Sequence, residues 1–558
     1  MLGYRRRKKL AQEIAPDEIF LDSSNLPQFD TEHMEGRIER PLGQRSALFI
    51  GTVVALLMLV YTGRAIDLQF VNGAAYAKQA AENQLSEQLL FADRGIIADR
   101  KGRDLAYNTR ESVDDDFAER AYAPYRGLAH AVGYTKAPAK DAAGFYFRMS
   151  YEGVDGMERA LNAALSGQNG IMLSETDAKG APVSKSVKVE PVPGARVMLS
   201  LDAEVTQGLY DAIAHVADQS HFQGGSGVLM DVRTGEIIAL TSYPEYSIEA
   251  LSHGDQAALD ALNSDKRQPF LNRAVNGLYA PGSIVKPFMG VAALEEGVIS
   301  EHKQILSTGS ISLPNPYNPD LPSVFKDWRV NGLTDVREAI AVSSDIYFYE
   351  VGGGYKDQPG LGIDRIDKYL RLFGFGSPTG IAGFKEPAGN IPTPAWKEAT
   401  FDGDPWRIGD TYHTAIGQYG TQVTPLQAVR AVAALANDGT MLTPTLLMGA
   451  TPQKSELKLD PHPLQVAREG MRLGVTDGIA TAVNVPYVEV AAKTGTAQIG
   501  VKNEYLNSWM VGFFPYEHPR YAYAIVLERG PAGTLVGASA ATRAFLDWIH
   551  EHAPEYLQ

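Results

Sequence analysis

The feature that most constrains this chain is an apolar run near its N-terminus. Residues 46–63 read SALFIGTVVALLMLVYTG, with no charge between Arg45 and Arg64. A helix of this length is just long enough to cross a bilayer. The alternatives are a buried core helix and a cleaved signal peptide, and the latter is disfavoured because no small-x-small cleavage site follows directly. The run therefore predicts a membrane anchor over 46–64, preceded by a short tail, 1–45.

A basic cluster precedes the anchor. Residues 4–10 read YRRRKKL. Lys and Arg orient a first membrane span with their own side in the cytoplasm. We therefore expect a single-pass protein with a cytoplasmic N-terminus and almost all of its mass on the other side of the membrane.

Bulk composition narrows the class of the remainder. A chain of 558 residues is too long for one compact core, so two or more domains are expected. The net charge of −15 argues against nucleic acid as the main partner, because phosphate binding needs a basic surface. The chain has no cysteine, which excludes disulfides, thiolate zinc sites and a cysteine nucleophile. The eleven histidines show no metal-ligand spacing, so neither a metal nor a cofactor is predicted.

The stretch after the anchor predicts a non-catalytic module over 65–204. An Ala-rich segment at 73–90 favours a helix that extends the anchor out of the membrane. Strand, turn and strand are predicted over 95–108, a helix over 151–167 and further strands around 189–202. A domain boundary is expected inside a helix near 205–222.

The remaining residues, 205–558, predict a single catalytic-type domain. A hairpin is expected at 228–240, and Thr424 and Pro425 are favourable N-cap and first residues for a helix. The predicted helices are 287–296, 334–350, 424–436 and a final one near the C-terminus; the later predicted strands are 488–499, 508–516 and 521–530. This order predicts an α/β (α+β) fold, with a central antiparallel sheet flanked by helices.

A serine and a lysine three residues apart stand out in APGSIVKPFMG, residues 280–290. Pro-Gly predicts a turn, so Ser283 would begin a helix, where free backbone N–H groups favour developing negative charge. Lys286 would lie on the same helix face, and a neutral buried lysine beside a serine is a sound base for a nucleophile. The bland alternative is a serine cap with a solvent-exposed lysine. Spacing alone cannot decide, because Ser-x-x-Lys also occurs at 300–303, 323–326 and 455–458.

Two further motifs follow in a telling order. AVSSDIYFYE (341–350) places Ser343 and Asp345 two residues apart, and AAKTGTAQ (491–498) contains the chain's only Lys-Thr-Gly, at Lys493. Each could be a helix cap or a strand end. Together they match the order Ser-x-x-Lys, Ser-x-Asn and Lys-Thr-Gly of penicillin-binding proteins and class A β-lactamases.

The chain as a whole resembles a class B penicillin-binding protein, a monofunctional peptidoglycan D,D-transpeptidase. The likeness covers almost everything after residue 64 and rests on two sets of stretches. Four stretches resemble the non-catalytic pedestal (dimerisation-type) module of that family: RGIIADRKG (94–102), HAVGY (130–134), YEGVDGMERALNAALSG (151–167) and ETDAKG (175–180). Three further stretches resemble its transpeptidase domain: NRAVNGLYAPGSIVKPF (272–288), WRIGDTYHTAIGQYGTQVTPLQ (406–427) and KTGTAQ (493–498). Trp-x-x-Gly-Asp-Thr, with Asp345, resembles the elongation-type branch.

The resemblance implies the reaction and the first set of roles. Ser283 would attack the carbonyl between two terminal D-alanines of a stem peptide, and Lys286 would accept its proton. Ser343 would relay a proton to the leaving amine, with Lys493 close by. An amine of a neighbouring stem peptide would resolve the acyl-enzyme and form a cross-link. β-Lactams would acylate the same serine.

The resemblance also implies a substrate-binding strand. The backbone N–H groups of Ser283 and Thr496 would form the oxyanion hole. Lys493, Thr494, Gly495 and Thr496 would bind the terminal carboxylate, for which a cation and hydroxyls are suited. Catalytic roles are thus expected for Ser283, Lys286, Ser343, Asp345 and Lys493, and substrate binding for 494–496.

Two departures from the family pattern bear on the site and on partners. Asp345 stands where the general pattern has Asn, and an ionised carboxylate accepts but does not donate hydrogen bonds. Only about thirty residues separate RGIIADRKG from HAVGY, a spacing usually longer in the family, so the membrane-proximal lobe is expected to be trimmed.

Other outcomes of the same motifs stay open. A division-type transpeptidase, a D,D-carboxypeptidase, a β-lactamase and an inactive penicillin-binding scaffold are the rivals. The anchor and long N-terminal module argue against a β-lactamase, the complete motif set argues against a scaffold, and no separate glycosyltransferase domain precedes residue 220. The resemblance further implies the cytoplasmic (inner) membrane as location, an extracytoplasmic catalytic domain and a SEDS-family glycosyltransferase as partner.

Overall fold

The computed structural model describes residues 44–558, except 83, 111, 113–114, 177–181, 316–317 and 319. Most of the predicted tail, with the basic cluster at 4–10, lies outside these residues. The described residues fall into two compact units, one within 1–86 and 174–185 and one within 87–173 and 186–558.

The described residues from 44 to 202 form one long helix, α1, followed by shorter elements. The helices are α1 (Gln44–Ile66), α2 (Gly73–Glu82), α3 (Ala129–Val132), α4 (Gly156–Ala160) and α5 (Asn162–Leu165). The strands are β1 (Gln84–Leu90), β2 (Ile97–Ala98), β3 (Asp104–Thr109), β4 (Glu119–Tyr122), β5 (Thr135–Lys136), β6 (Ala139–Lys140), β7 (Tyr146–Arg148), β8 (Glu152–Gly153), β9 (Gly170–Thr176), β10 (Pro182–Val189) and β11 (Val197–Met198).

The predicted apolar helix is present. Ala47–Val71 is long and apolar enough to cross a membrane, and no part of it is buried within the protein. The predicted helix over 73–90 is correct only as far as Glu82. Residues 84–90 are strand β1, in a three-stranded sheet of order β1-β9-β10, because pairing with neighbouring strands overrides a weak helical preference.

A second small sheet, of order β11-β2-β3-β4, supports the N-terminal module. It confirms the strand, turn and strand predicted over 95–108. The helix predicted over 151–167 is instead β8 followed by α4 and α5, and Gly167, with φ of +66°, ends it.

Three buried charges lie between this sheet and α4. Arg94 Nε donates to Glu158 Oε2 at 2.6 Å, and Arg120 Nε donates to Glu158 Oε1 at 2.8 Å. All three side chains are buried. Arg94 also donates to the carbonyl of Glu158 at 2.9 Å and that of Tyr151 at 3.1 Å. We call Arg94, Arg120 and Glu158 the pedestal cluster.

The remaining residues form the larger part of the protein. The helices are α6 (Ala203–Gln219), α7 (Ile248–Ser252), α8 (Gln256–Ser264), α9 (Arg273–Asn276), α10 (Lys286–Glu295), α11 (Val336–Val342), α12 (Asp345–Gly353), α13 (Ile363–Leu372), α14 (Pro394–Thr400), α15 (Ile408–Ala415), α16 (Pro425–Ala436), α17 (Pro461–Thr476) and α18 (Ala538–His552). The strands are β12 (Gly224–Asp231), β13 (Ile237–Tyr243), β14 (Ile305–Ser307), β15 (Ser310–Leu313), β16 (Ser323–Lys326), β17 (Gly332–Thr334), β18 (Thr440–Leu442), β19 (Lys454–Glu456), β20 (Ala491–Ile499), β21 (Tyr505–Phe514) and β22 (Tyr521–Pro531).

The central sheet is five-stranded and antiparallel, with the order β13-β12-β22-β21-β20. Successive strand residues point to opposite faces. On β12, Val228 and Met230 join one hydrophobic core and Leu229 joins the other. The first core contains α10, α16 and α17, and the second contains α6 and α18. The predicted fold, an antiparallel sheet flanked by helices, is confirmed.

The predicted helix over 334–350 is wrong in one respect that matters for the site. It is broken into α11 and α12 at Ser343 and Ser344. Ser343 ends α11 with φ of +58°, a left-handed conformation that non-glycine residues rarely adopt. Ser343 therefore lies between two helices and not within a continuous one.

Candidate active site

Ser283 lies in a 3₁₀ turn, Gly282–Val285, that leads directly into α10. Gly282 has φ of +56°, and a Cβ on it would lie 2.9 Å from the carbonyl oxygen of Thr496 on β20. Glycine is therefore needed here for two reasons, the left-handed backbone and the close approach of the edge strand. The turn is held against β20 with the Ser283 side chain partly accessible.

Lys286, the first residue of α10, is completely buried. Its Nζ donates to the carbonyl of Ser343 at 2.8 Å, to Ser343 Oγ at 3.2 Å and to Asp345 Oδ1 at 2.6 Å. Asp345, the departure from the family pattern, therefore accepts from Lys286, which a carboxylate can do without donating. The other Ser-x-x-Lys lysines, Lys303, Lys326 and Lys458, are all exposed.

Lys493 approaches the same serine from the edge strand of the sheet. Its Nζ donates to Ser343 Oγ at 2.8 Å and to the carbonyl of Thr494 at 2.9 Å. Burial, and after it the nearby charge of Lys286, hold the pKa of Lys493 well below its ordinary value, although Asp345 opposes this shift. The resemblance predicted that Lys493 lies near Ser343. Nothing in the sequence predicted the lowered pKa, which depends on the burial of the Lys493 side chain.

Ser343, the residue that both lysines contact, lines a cavity of about 490 Å³, whereas Lys286 and Lys493 lie behind its lining. Its lining includes the predicted residues Ser283, Ser343, Asp345, Thr494, Gly495 and Thr496. Gly495 is buried, and a Cβ on it would meet the carbonyl oxygen of Pro281 at 2.7 Å, so this glycine lets β20 pack against the Ser283 turn. Among the residues that the structure describes, no group of three or more His, Asp or Glu is arranged to hold a metal ion.

Two residues at this site were missed by the sequence analysis. Trp328 lines the cavity, and its indole Nε1 donates to the carbonyl of Val342 at 3.1 Å. Asp327 contacts the break between α11 and α12 from outside the cavity lining. No motif marks either residue; the only signal was their place in a short strand-rich stretch before Ser343.

Comparisons with known proteins agree with this geometry. The sequence model of the penicillin binding protein transpeptidase domain matches residues 225–549, and that of the penicillin-binding protein dimerisation domain matches residues 115–199. The peptidoglycan D,D-transpeptidase MrdA of Escherichia coli K12 is 30% identical, over 90% of this chain and 94% of that protein.

Solved structures give the same result. The penicillin-binding protein PBP2 of Helicobacter pylori, in a complex with MreC, has a TM-score of 0.70 at 26% identity, over 84% of this chain and 99% of that one. A chain from a peptidoglycan synthase complex that coordinates polymerization and crosslinking has a TM-score of 0.71 at 27% identity, over 91% and 98%. The transpeptidase match spans more than half of the 558 residues and contains all three motifs. This chain is a member of the penicillin-binding protein transpeptidase family, with the family's dimerisation domain before its catalytic domain.

Proposed function

We propose that this protein is a peptidoglycan D,D-transpeptidase of the elongation type, anchored in the cytoplasmic membrane by one helix. The observation that carries the proposal is the environment of Ser343. Its hydroxyl accepts hydrogen bonds from two buried lysines, Lys286 and Lys493, at the cavity that Ser283 lines. The E. coli relative that shares nearly the whole length carries the name of this activity.

Ser283 begins the reaction. Its Oγ attacks the carbonyl between the two terminal D-alanines of a stem peptide, and its proton passes to Lys286. The oxyanion that forms is stabilised by the backbone N–H groups of Ser283 and Thr496. An ester bond to the enzyme forms as the peptide bond to the last D-alanine breaks.

Ser343 then connects the two lysines. Two ammonium groups that share one hydroxyl would repel each other, and burial together with the charge of Lys286 lowers the pKa of Lys493, which favours its neutral form. Lys286 accepts the proton of Ser283, and its hydrogen bond to Ser343 Oγ lets it pass a proton on to that hydroxyl. The leaving amine takes its proton from Ser343.

The edge strand binds the donor peptide. Thr494 and Thr496, beside Lys493, hold the terminal carboxylate, while Gly495 keeps this strand against the Ser283 turn. An amine of a second stem peptide attacks the ester, releases Ser283 and forms the cross-link. A β-lactam presents a similar carbonyl and carboxylate, acylates Ser283 and stays attached.

The chain is divided as a tail (1–45), an anchor (46–64), a pedestal module (65–204) and a transpeptidase domain (205–558). Matches to the dimerisation and transpeptidase families fall inside the last two segments. The basic cluster at 4–10 supports a cytoplasmic N-terminus and an extracytoplasmic catalytic domain. Similarity to a chain of a peptidoglycan synthase complex supports a SEDS-family glycosyltransferase as membrane partner.

A fluorescent penicillin tests the assignment of the nucleophile. The detergent-solubilised full chain is labelled, and intact mass and peptide mapping locate the adduct. We expect a stable adduct on the peptide 280–290 that is lost in Ser283→Ala and retained in the matched control Ser300→Ala. Loss in Ser300→Ala instead would contradict the assignment, and an adduct that hydrolyses within seconds would indicate the rival β-lactamase.

A second assay separates transpeptidation from the rival hydrolysis. The protein is incubated with a D-Ala-D-Ala stem peptide and an excess of an acceptor stem peptide, and products are separated by mass. A cross-linked dimer supports a transpeptidase. Release of D-alanine without any dimer would instead identify a D,D-carboxypeptidase.

A further inference from the structure

Asp327, in the connection between β16 and β17, has a carboxylate surrounded by donors. Side chains donate to its Oδ2: Ser344 Oγ at 2.8 Å, Ser307 Oγ at 2.9 Å and Asn331 Nδ2 at 3.0 Å. The backbone N–H of Asp345 donates to Oδ1 at 3.0 Å, and that of Ile346 to Oδ2 at 3.3 Å. Burial alone would raise the pKa of Asp327, but these hydrogen bonds hold it below the ordinary value.

We call the break between α11 and α12 the Ser343 corner. The contacts of Asp327 with residues 344–346 lie on the C-terminal side of this corner. Ser344 and Asp345 directly follow Ser343 and begin α12, whose unsatisfied N–H groups favour an anion. The next residue, Trp328, reaches the other side, because its indole donates to the carbonyl of Val342, which directly precedes Ser343. Residues 327 and 328 therefore hold the backbone on both sides of a residue whose left-handed conformation is unfavourable by itself.

The placement of the Ser343 hydroxyl depends on this corner. Ser343 Oγ lies within hydrogen-bond distance of Lys286 and Lys493, which come from two different elements, α10 and β20. Relaxing the corner would move the hydroxyl relative to both lysines. A displacement of about 1 Å in a reacting group can cost on the order of 100-fold in rate.

We propose that Asp327 is a positioning residue for the reaction: it fixes the corner that holds the Ser343 hydroxyl between Lys286 and Lys493. This inference rests on the proposed function, because it assigns the effect of Asp327 to the proton relay through Ser343. Asp327 does not line the cavity, so it acts through Ser343 and not through contact with the substrate.

The test is a double-mutant cycle on the full chain, with the rate of acylation by fluorescent penicillin as its readout. Asp327→Asn keeps the shape but turns one carboxylate oxygen into an NH₂ group facing other donors. We expect acylation to slow about 10- to 100-fold. The exposed Asp320, in the preceding connection between β15 and β16, gives the matched control, and Asp320→Asn should leave the rate unchanged.

The Ser343→Ala background separates positioning from general stabilisation. There we expect Asp327→Asn to cause no further loss, since the hydroxyl that it positions is absent. Equal loss in both backgrounds, or a wild-type rate in Asp327→Asn alone, would overturn the proposal.

A milder variant keeps the test decisive if Asp327→Asn does not fold. Ser307→Ala removes a single donor, and we expect a smaller slowing, about two- to fivefold, that also vanishes in the Ser343→Ala background. A wild-type rate in Ser307→Ala would then overturn the proposal. Failure of the proposed function reads differently, since the wild-type chain itself would not be acylated at Ser283.

Discussion

The active site and the pedestal module each contain two buried basic side chains and one carboxylate. In the pedestal cluster Arg94 and Arg120 flank Glu158, whereas at the active site Lys286 binds Asp345 and Lys493 lies one hydroxyl away. Each cluster therefore has two basic side chains and one acidic side chain. The difference lies in the cations, because arginine stays protonated in proteins while a buried lysine can lose its proton.

The protein therefore uses buried basic side chains in two ways, one structural and one catalytic. The guanidinium groups bind fixed acceptors, including backbone carbonyls, and hold β3, β4 and α4 in place. The two lysines instead share an acceptor that is itself a proton donor, Ser343 Oγ. We therefore expect changes in the pedestal cluster to affect stability, and changes in the lysines to affect acylation.

The largest expected effect is on catalysis at Lys286. Lys286→Met removes the group that accepts the proton of Ser283, so the rate of acylation by fluorescent penicillin should fall about 10²- to 10⁴-fold. Lys286→Arg should be as inactive, because a guanidinium does not accept the proton. The exposed Lys303, in Lys303→Met, is the control and should be acylated normally. Acylation of either Lys286 variant within threefold of wild type would contradict the role.

The next effect concerns the pedestal cluster. Glu158→Gln leaves two buried guanidinium groups without their carboxylate, which should lower the free energy of unfolding by about 3–5 kcal/mol. Denaturant unfolding measures this loss. The exposed Glu152, in strand β8, supplies the control Glu152→Gln, which should change stability by under about 0.5 kcal/mol.

The same variant also tests the separation of the two clusters. The fraction of Glu158→Gln that remains folded should be acylated at the wild-type rate. A rate that falls together with stability would show that the pedestal cluster is energetically coupled to the active site.

The smallest expected effect is a gain in stability, and it concerns Lys493. Burial keeps the pKa of Lys493 well below its ordinary 10.5, so between these two values the unfolded chain binds more protons than the folded one. Stability attributable to Lys493 therefore rises with pH through that window and is lowest below it. Lys493→Met removes this cost, and we expect about 1–2 kcal/mol of added stability at pH 7, with loss of acylation.

Thermal unfolding across pH checks this sign. The stability difference between Lys493→Met and wild type should shrink as the pH approaches 10.5, where the unfolded lysine also loses its proton. A variant that is less stable than wild type at pH 7, or a difference that does not change with pH, would contradict the lowered pKa.

Much of the site could be predicted because its chemistry is written in short motifs. Ser283, Lys286, Ser343 and Lys493 each belong to one, and the structure brings both lysines within hydrogen-bond distance of Ser343 Oγ. The central sheet was predictable because its strands are bounded by turns and β13, β21 and β22 are largely apolar, as expected for strands buried on both faces.

The rest depends on long-range contacts that no short window contains. Residues 84–90 have helix-favouring composition but pair as a strand, and the predicted helix over 334–350 ran through Ser343 and Ser344, although serines there could cap a helix. Asp327 stands alone in its stretch, and only the fold shows that its carboxylate meets the start of α12. Asp345 could be noted as unusual, but its partner Lys286 is 59 residues away.

The position of β22 in the central sheet has a consequence for how the domain folds. The last strand in the chain lies in the middle of the sheet, between β12 from its beginning and β21. The two halves therefore cannot join until synthesis has reached about residue 531, and contacts of such sequence separation form slowly. Until then β12 and β21 each have an unpaired edge, where aggregation begins. Penicillin binding thus reports the completed polypeptide, and a chain that stops before β22 would be expected to misassemble rather than bind weakly.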